Sequence, residues 1–387
     1  MRTARPTPDG PMLELSTTDR ERLIDLDLQL VEIASWLNLS RLLNPTLPSR
    51  QRALAELRQG SRTGRYTDPR LEYLPIPRDV VDRSYRALAA LQFGDTELDD
   101  LLGLQRDALR DQLDLLLARG TDRFAALATT MYGLPSPELL GKAHAILRGE
   151  YLVQDIVDPP DVDDRRLQAP QMQRAMEGVL QQMGIHDWRV VLVDEMSARM
   201  SVSARHREVR VKTDSEFTVD DRNRLIVHEL GTHVLRAHNG FKSGLLNLGL
   251  GLAGYIATEE GLASWMEERN GLLRRAHIEI YAMRAIGAQL AHELGFADMM
   301  VALMDLGATP GVAWDVALRL KRGLVDTSRP GTFPKDYVYL HGREIVTAWA
   351  AAGGAIDDLF VAKIAIDQVE PIKRLLATWS PHLHRAS

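Results

Sequence analysis

Apolar residues recur at three- and four-residue steps through most of this chain, a spacing that predicts one helix after another. From Thr17 to about Ala53 the register is carried by Leu23, Leu26, Leu30 and Ile33. Comparable stretches occupy residues 80–92, 95–119, 121–131 and 136–150. Two proline-rich pieces punctuate the series, Leu74-Pro75-Ile76-Pro77 and Asp158-Pro159-Pro160-Asp161. The second, extended by Asp163 and Asp164, is the expected boundary. It divides the chain into a flexible leader (1–16), a helical N-terminal region (17–160) and a region that carries the chemistry (161–387).

Beyond that boundary the period changes from helical to alternating. Arg189-Val190-Val191-Leu192-Val193 reads as a buried strand. Met200, Val202 and Ala204, then Val209 and Val211, alternate with polar neighbours. A small, mostly antiparallel sheet is expected here, within a fold of the α+β class that is otherwise helical. Thr218 is positioned to cap the next helix, with Asp220 and Asp221 complementing the dipole of its first turn.

That helix contains Val227-His228-Glu229-Leu230-Gly231-Thr232-His233. Two imidazoles suit a borderline-soft divalent ion, above all zinc, and a carboxylate beside the first suits a general base. The spacing is HExxxH, one residue longer than HExxH. At roughly 100° per residue, five residues turn the two histidines about 140° apart, against about 40° for four. A shared ion therefore requires a locally widened helix such as a π-bulge, and Gly231 is expected to ease that distortion. Ala291-His292-Glu293-Leu294-Gly295 repeats the letters HELG but has no second histidine, and reads as a helix end.

A third ligand is offered by Thr258-Glu259-Glu260-Gly261-Leu262-Ala263, which opens another helical pattern running to Asn270-Gly271. Adjacent acids point roughly 100° apart, so only one of Glu259 and Glu260 can face the ion. Glu259 reads more simply as an acid near the helix N-terminus. His238, followed by Asn239-Gly240, reads as a helix C-terminal residue.

These segments resemble the family of microtubule-associated tyrosine carboxypeptidases, whose bacterial members carry a "QEGLA motif" label. The resemblance rests on HELGTH, the following Val234-Leu235-Arg236-Ala237-His238-Asn239-Gly240, and the EEGLA run. It extends to Ser40-Arg41-Leu42-Leu43-Asn44-Pro45-Thr46, Arg319-Leu320-Lys321-Arg322-Gly323 and Tyr337-Val338-Tyr339-Leu340-His341-Gly342. Here Glu259 stands where the label has Gln. The resemblance implies one zinc ion on His228, His233 and Glu260, with Glu229 as the catalytic carboxylate. It also implies a zincin-like peptidase removing an aromatic residue, Tyr or Phe, from the C-terminus of a peptide or protein. Enzyme alternatives are a zinc endopeptidase or an aminopeptidase; a different class is a metal-binding regulator without turnover.

A carboxypeptidase needs a cation for the free carboxylate, and Arg236, Arg319 and Arg322 are the candidates. Tyr337 or Tyr339 could support the oxyanion. An edge strand beside the metal helix could hold an extended peptide by main-chain hydrogen bonds.

Composition narrows the setting. A net charge of −6 and a pI near 6.0 argue against a general nucleic-acid binder. The absence of cysteine removes disulfides and thiolate ligands and fits a cytoplasmic location. The N-terminus has no apolar signal-like stretch, and the apolar run from Gly244 to Ala257 is too short to span a membrane.

Overall fold

Helix starts follow local chemistry in the computed structural model, which describes residues 15–150, 165–196 and 198–379. Ser16 accepts a hydrogen bond from the Asp19 amide at the head of Thr17–Ser35. Thr96 and Asp99 form a reciprocal capping box at Glu97–Ala118. Ser136 and Thr309 cap Pro137–Leu147 and Pro310–Leu320, each with proline in the first turn. The leucine register that begins at Leu23 is divided among Thr17–Ser35, Leu39–Leu43 and Leu47–Thr63. Asn44 is extended before Pro45, which cannot continue a helix. Nearly all of the expected leader, and the expected boundary at Pro159-Pro160, lie outside the described residues.

The strands are β1 (Arg166–Gln168), β2 (Arg189–Val193), β3 (Met200–Ser203), β4 (Glu208–Lys212) and β5 (Glu216–Thr218). β1 pairs antiparallel with β5. The other sheet, ordered β2-β4-β3, is mixed: β3 and β4 are antiparallel, but β2 runs parallel to β4. The expectation of mostly antiparallel pairing thus fails at β2. β4, with buried Val209 and Val211, lies between the other two strands. β5 ends at Thr218, which caps Val219–Leu225 as expected.

Three apolar cores meet around the next segment. The first joins Leu23, Leu30, Leu102 and Leu113 to Leu248, Leu262, Val346 and Ile372, so it draws on both sides of residue 160. The second is built from Arg275–Glu293, Phe296–Asp305 and Pro310–Leu320, with Leu340. The third packs Ala169–Gln182 and the mixed sheet against Leu230, Val234 and Ala237. No helix among the described residues is long and apolar enough to cross a membrane.

Candidate metal centre

The helix after Thr218 changes its winding where the histidines lie. Val219–Leu225 is α-helical, Ile226–Val234 is π-helical, and Leu235–Lys242 returns to α. The wider turn places the His228 and His233 rings edge to face, with centroids 4.8 Å apart. The buried Thr232 hydroxyl bonds to the Val227 carbonyl five residues back, 3.3 Å away, matching the π period. A Cβ at Gly231 would meet its nearest neighbour, the Ile226 carbonyl, at an ordinary 3.7 Å, so steric room alone does not require glycine there.

Glu260 approaches from Tyr255–Arg269. Its Oε2 lies 3.8 Å from His228 Nε2 and 3.8 Å from His233 Nε2. The ligand atoms of all three residues lie within 4.8 Å of one another. Glu260 Oε2 is buried and has no hydrogen-bond partner. An orphaned carboxylate oxygen facing two imidazole nitrogens costs free energy by itself, and it is the donor set that a divalent ion such as zinc takes.

The opposite ring nitrogens are fixed by carboxylates. His233 Nδ1 is 2.8 Å from Glu259 Oε1, and His228 Nδ1 is 2.8 Å from Glu267 Oε1. Ionised carboxylates only accept, so Nδ1 carries the hydrogen in both rings, and a neutral ring then presents the Nε2 lone pair towards Glu260. Burial alone would lower the His228 pKa, but Glu267, with Glu229 and Glu260, raises it to about 9. The surrounding carboxylates therefore favour positive charge at this point. Glu229 is buried in the same π segment, between His228 and Leu230.

Glu259 does not act as a first-turn acid. The helix begins at Tyr255, a turn earlier than EEGLA, and buries Glu259 among cations. Arg236 pairs with its Oε2, and Lys363 Nζ lies 2.7 Å from Oε1. Burial would raise the Glu259 pKa, yet Lys363, Arg236 and His233 hold it well below the usual carboxylate range. Arg224 plays a similar part for Glu267, at 2.8 Å.

Arg236 is thereby excluded as a receptor for substrate. It is 0% exposed and donates to Glu259, to the Leu359 carbonyl (2.7 Å) and to the Ile364 carbonyl (2.8 Å). Arg319 and Arg322 are held by Asp336 at 3.3 and 3.1 Å, and Arg319 also by Asp315 at 2.8 Å. Tyr337 is spent on packing, its hydroxyl donating to the Tyr132 carbonyl at 2.7 Å. Tyr339 is influenced by the centre: Glu260 is the largest of the effects that raise its phenol pKa. His238 lies within Leu235–Lys242, 3.4 Å from Asp187, and His292 is at the end of Arg275–Glu293; neither joins the cluster.

Glu267 was not singled out from the sequence, although a signal existed. It follows Glu260 by seven residues, two helical turns, and so shares its face. Lys363 and Arg224 carried no comparable signal, because only the fold brings them to these carboxylates.

Comparison with known proteins points to one family. A family model described as "Microtubule-associated tyrosine carboxypeptidase" matches residues 61–379. The mouse protein named "Microtubule-associated tyrosine carboxypeptidase 1" is 38% identical over 127 residues, 30% of this chain and 26% of that protein. The human protein of the same name is 36% identical over 125 residues, again 30% of this chain and 26% of that protein. These alignments thus span about a quarter of the length of those relatives.

Proposed function

Because the chain belongs to the microtubule-associated tyrosine carboxypeptidase family, we propose that it is a zinc-dependent carboxypeptidase that removes a C-terminal aromatic residue, Tyr or Phe, from peptides or proteins. The observation that carries this reading is the unpartnered Glu260 oxygen set equally far from the two histidine nitrogens. The order of elements, with an edge strand, a helix bearing both histidines and a second helix bearing the acid, supports reading the fold as zincin-like.

His228, His233 and Glu260 would hold the ion, which when bound supplies a Lewis acid and a water acidified to a pKa of about 7. Glu229 takes up the proton of the attacking water on its carboxylate and returns it to the leaving amine. Glu267 and Glu259 keep both imidazoles in one tautomer and one orientation. Tyr339, protonated and near Glu260, is a neutral donor for the carbonyl oxygen as it gains charge. β3 packs against the π segment and has β4 as its only strand neighbour among the described residues, which leaves an edge for the substrate main chain.

The test is mass analysis of the zinc-loaded protein acting on peptides that vary only in their last residue, with Glu229→Gln alongside. Loss of one aromatic residue, abolished by the substitution and by C-terminal amidation, is the expected result. Internal cuts would replace this reading with an endopeptidase. Shortening from the other end would replace it with an aminopeptidase.

A further inference from the structure

Four cations, Arg284, Arg319, Arg322 and Lys335, act on the carboxylate of the buried Asp336, three residues before Tyr339. Asp315 and Asp336 are themselves engaged by Arg319 and Arg322. The group therefore holds more positive than negative charge, and the two remaining cations lack a close anion. Arg284 lies over the ring of Tyr339 (4.6 Å to its centroid) and more distantly over Tyr281 (5.9 Å). The two rings are stacked 5.2 Å apart. Arg284 Nε is buried with no hydrogen-bond partner. Lys335 makes no hydrogen bond or close ion pair among the described residues, although its ammonium senses both Asp336 and Glu260.

Tyr339, over whose ring Arg284 lies, is on Val338–Ala351, and that helix meets the Glu260 helix at the close Gly342–Gly261 contact. Tyr339, on which Arg284 rests, is the phenol most affected by Glu260, and Lys335 is influenced by the same carboxylate. In a carboxypeptidase the free α-carboxylate lies one residue, about 3.8 Å of chain, beyond the scissile peptide. An anion receptor is thus required beside the metal ligands, not remote from them. Burial lowers the Lys335 pKa, so its ammonium is a poorly hydrated charge that gains more than a surface lysine from an incoming anion.

We propose that Arg284 and Lys335 together bind the free α-carboxylate of the substrate's C-terminal residue. Arg284 provides a planar fork for two parallel hydrogen bonds, and Lys335 provides a point charge. Arg319 and Arg322 add positive potential while remaining bonded to Asp336. This assignment rests on the carboxypeptidase reading, and it names the residues that would make that enzyme specific for a chain end.

The test measures binding without turnover. Metal-loaded Glu229→Gln protein is titrated with a short peptide ending in tyrosine, as the free acid and as the amide, and the titration is repeated with Lys335→Gln or Arg284→Lys added. The parent is expected to bind the acid at least about tenfold tighter than the amide, from charge-assisted hydrogen bonds. Each added substitution should weaken acid binding by about tenfold or more, with amide binding unchanged. A parent that prefers the acid, with the preference intact in both folded variants, would overturn this assignment alone. No preference in the parent would overturn the carboxypeptidase reading together with it. If Arg284→Lys unfolds, as a melting curve would show, Lys335→Gln decides.

Discussion

Gly261 and Gly342 meet backbone to backbone, so closely that a Cβ on Gly261 would lie 2.1 Å from the Gly342 carbonyl carbon. Gly261 follows Glu260 directly, and Gly342 lies on Val338–Ala351 with Tyr339. This contact therefore sets the distance between the third candidate ligand and the phenol beside it. It explains the glycine in EEGLA and the one in YVYLHG by a single cause.

Gly261→Ala should therefore both destabilise the protein and impair the site. Overpacking usually costs about 1–3 kcal/mol, and here the neighbour is backbone that cannot rotate away. Urea denaturation with metal titration will show both effects, whereas Gly231→Ala, with no close neighbour, should leave the fold stable.

Metal content and turnover should separate at neighbouring residues. Glu260→Ala is expected to lose the ion by elemental analysis, because the histidines then have no acid to share. Glu229→Gln should retain the ion and lose about 10²- to 10⁴-fold in rate, the usual range for removal of a general base. Full activity in Glu229→Gln would refute its assignment as the base.

Glu259→Gln should be unusually harmful for a loss of one charge. It leaves Arg236 and Lys363 buried with no anion, a change that typically costs about 3–5 kcal/mol. Removing the carboxylate behind a ligating histidine also commonly weakens metal binding about 10- to 100-fold. Adding Lys363→Met to Glu259→Gln should recover part of the stability. Equal denaturation midpoints for the single and double variants would show that the buried triad is not balanced in this way.

Acid stability should depend on His277. Burial, with the charge of Arg224, lowers its pKa from 6.5 to about 4, against opposing effects from Glu267, Asp221 and Asp220. The neutral ring is thus favoured in the folded state. As pH falls through 6.5 the unfolded chain takes up a proton that the native protein refuses until about 4. Stability present above 6.5 is lost across that window, by up to about 3 kcal/mol. Thermal melts from pH 7 to 4 should show this slope, and His277→Gln should flatten it.

Much of the centre was legible along one stretch of chain because its chemistry is local. The HExxxH spacing demanded a widened helix, and Ile226–Val234 is π-helical. Thr218 caps as its hydroxyl and neighbouring acids predict. Adjacent acids diverge, and Glu260 and Glu259 do turn to different atoms, one to the Nε2 pair and the other to His233 Nδ1. Arg236 was misread because it is near the motif in sequence. Its guanidinium is instead enclosed by the Leu359 and Ile364 carbonyls, more than a hundred residues away.

The sequence by itself marked which side chains have the chemistry for an ion or a proton and where several helices are capped, since these depend on side-chain chemistry and on neighbours within a turn or two. Only the tertiary structure decided which cations are paired with internal carboxylates. Charge pairing is set by distance through space: Arg236, Lys363 and Glu259 come from three separate segments, and so do Arg284, Lys335 and Glu260. Among this chain's many arginines no local pattern marks which ones the fold pairs with buried carboxylates.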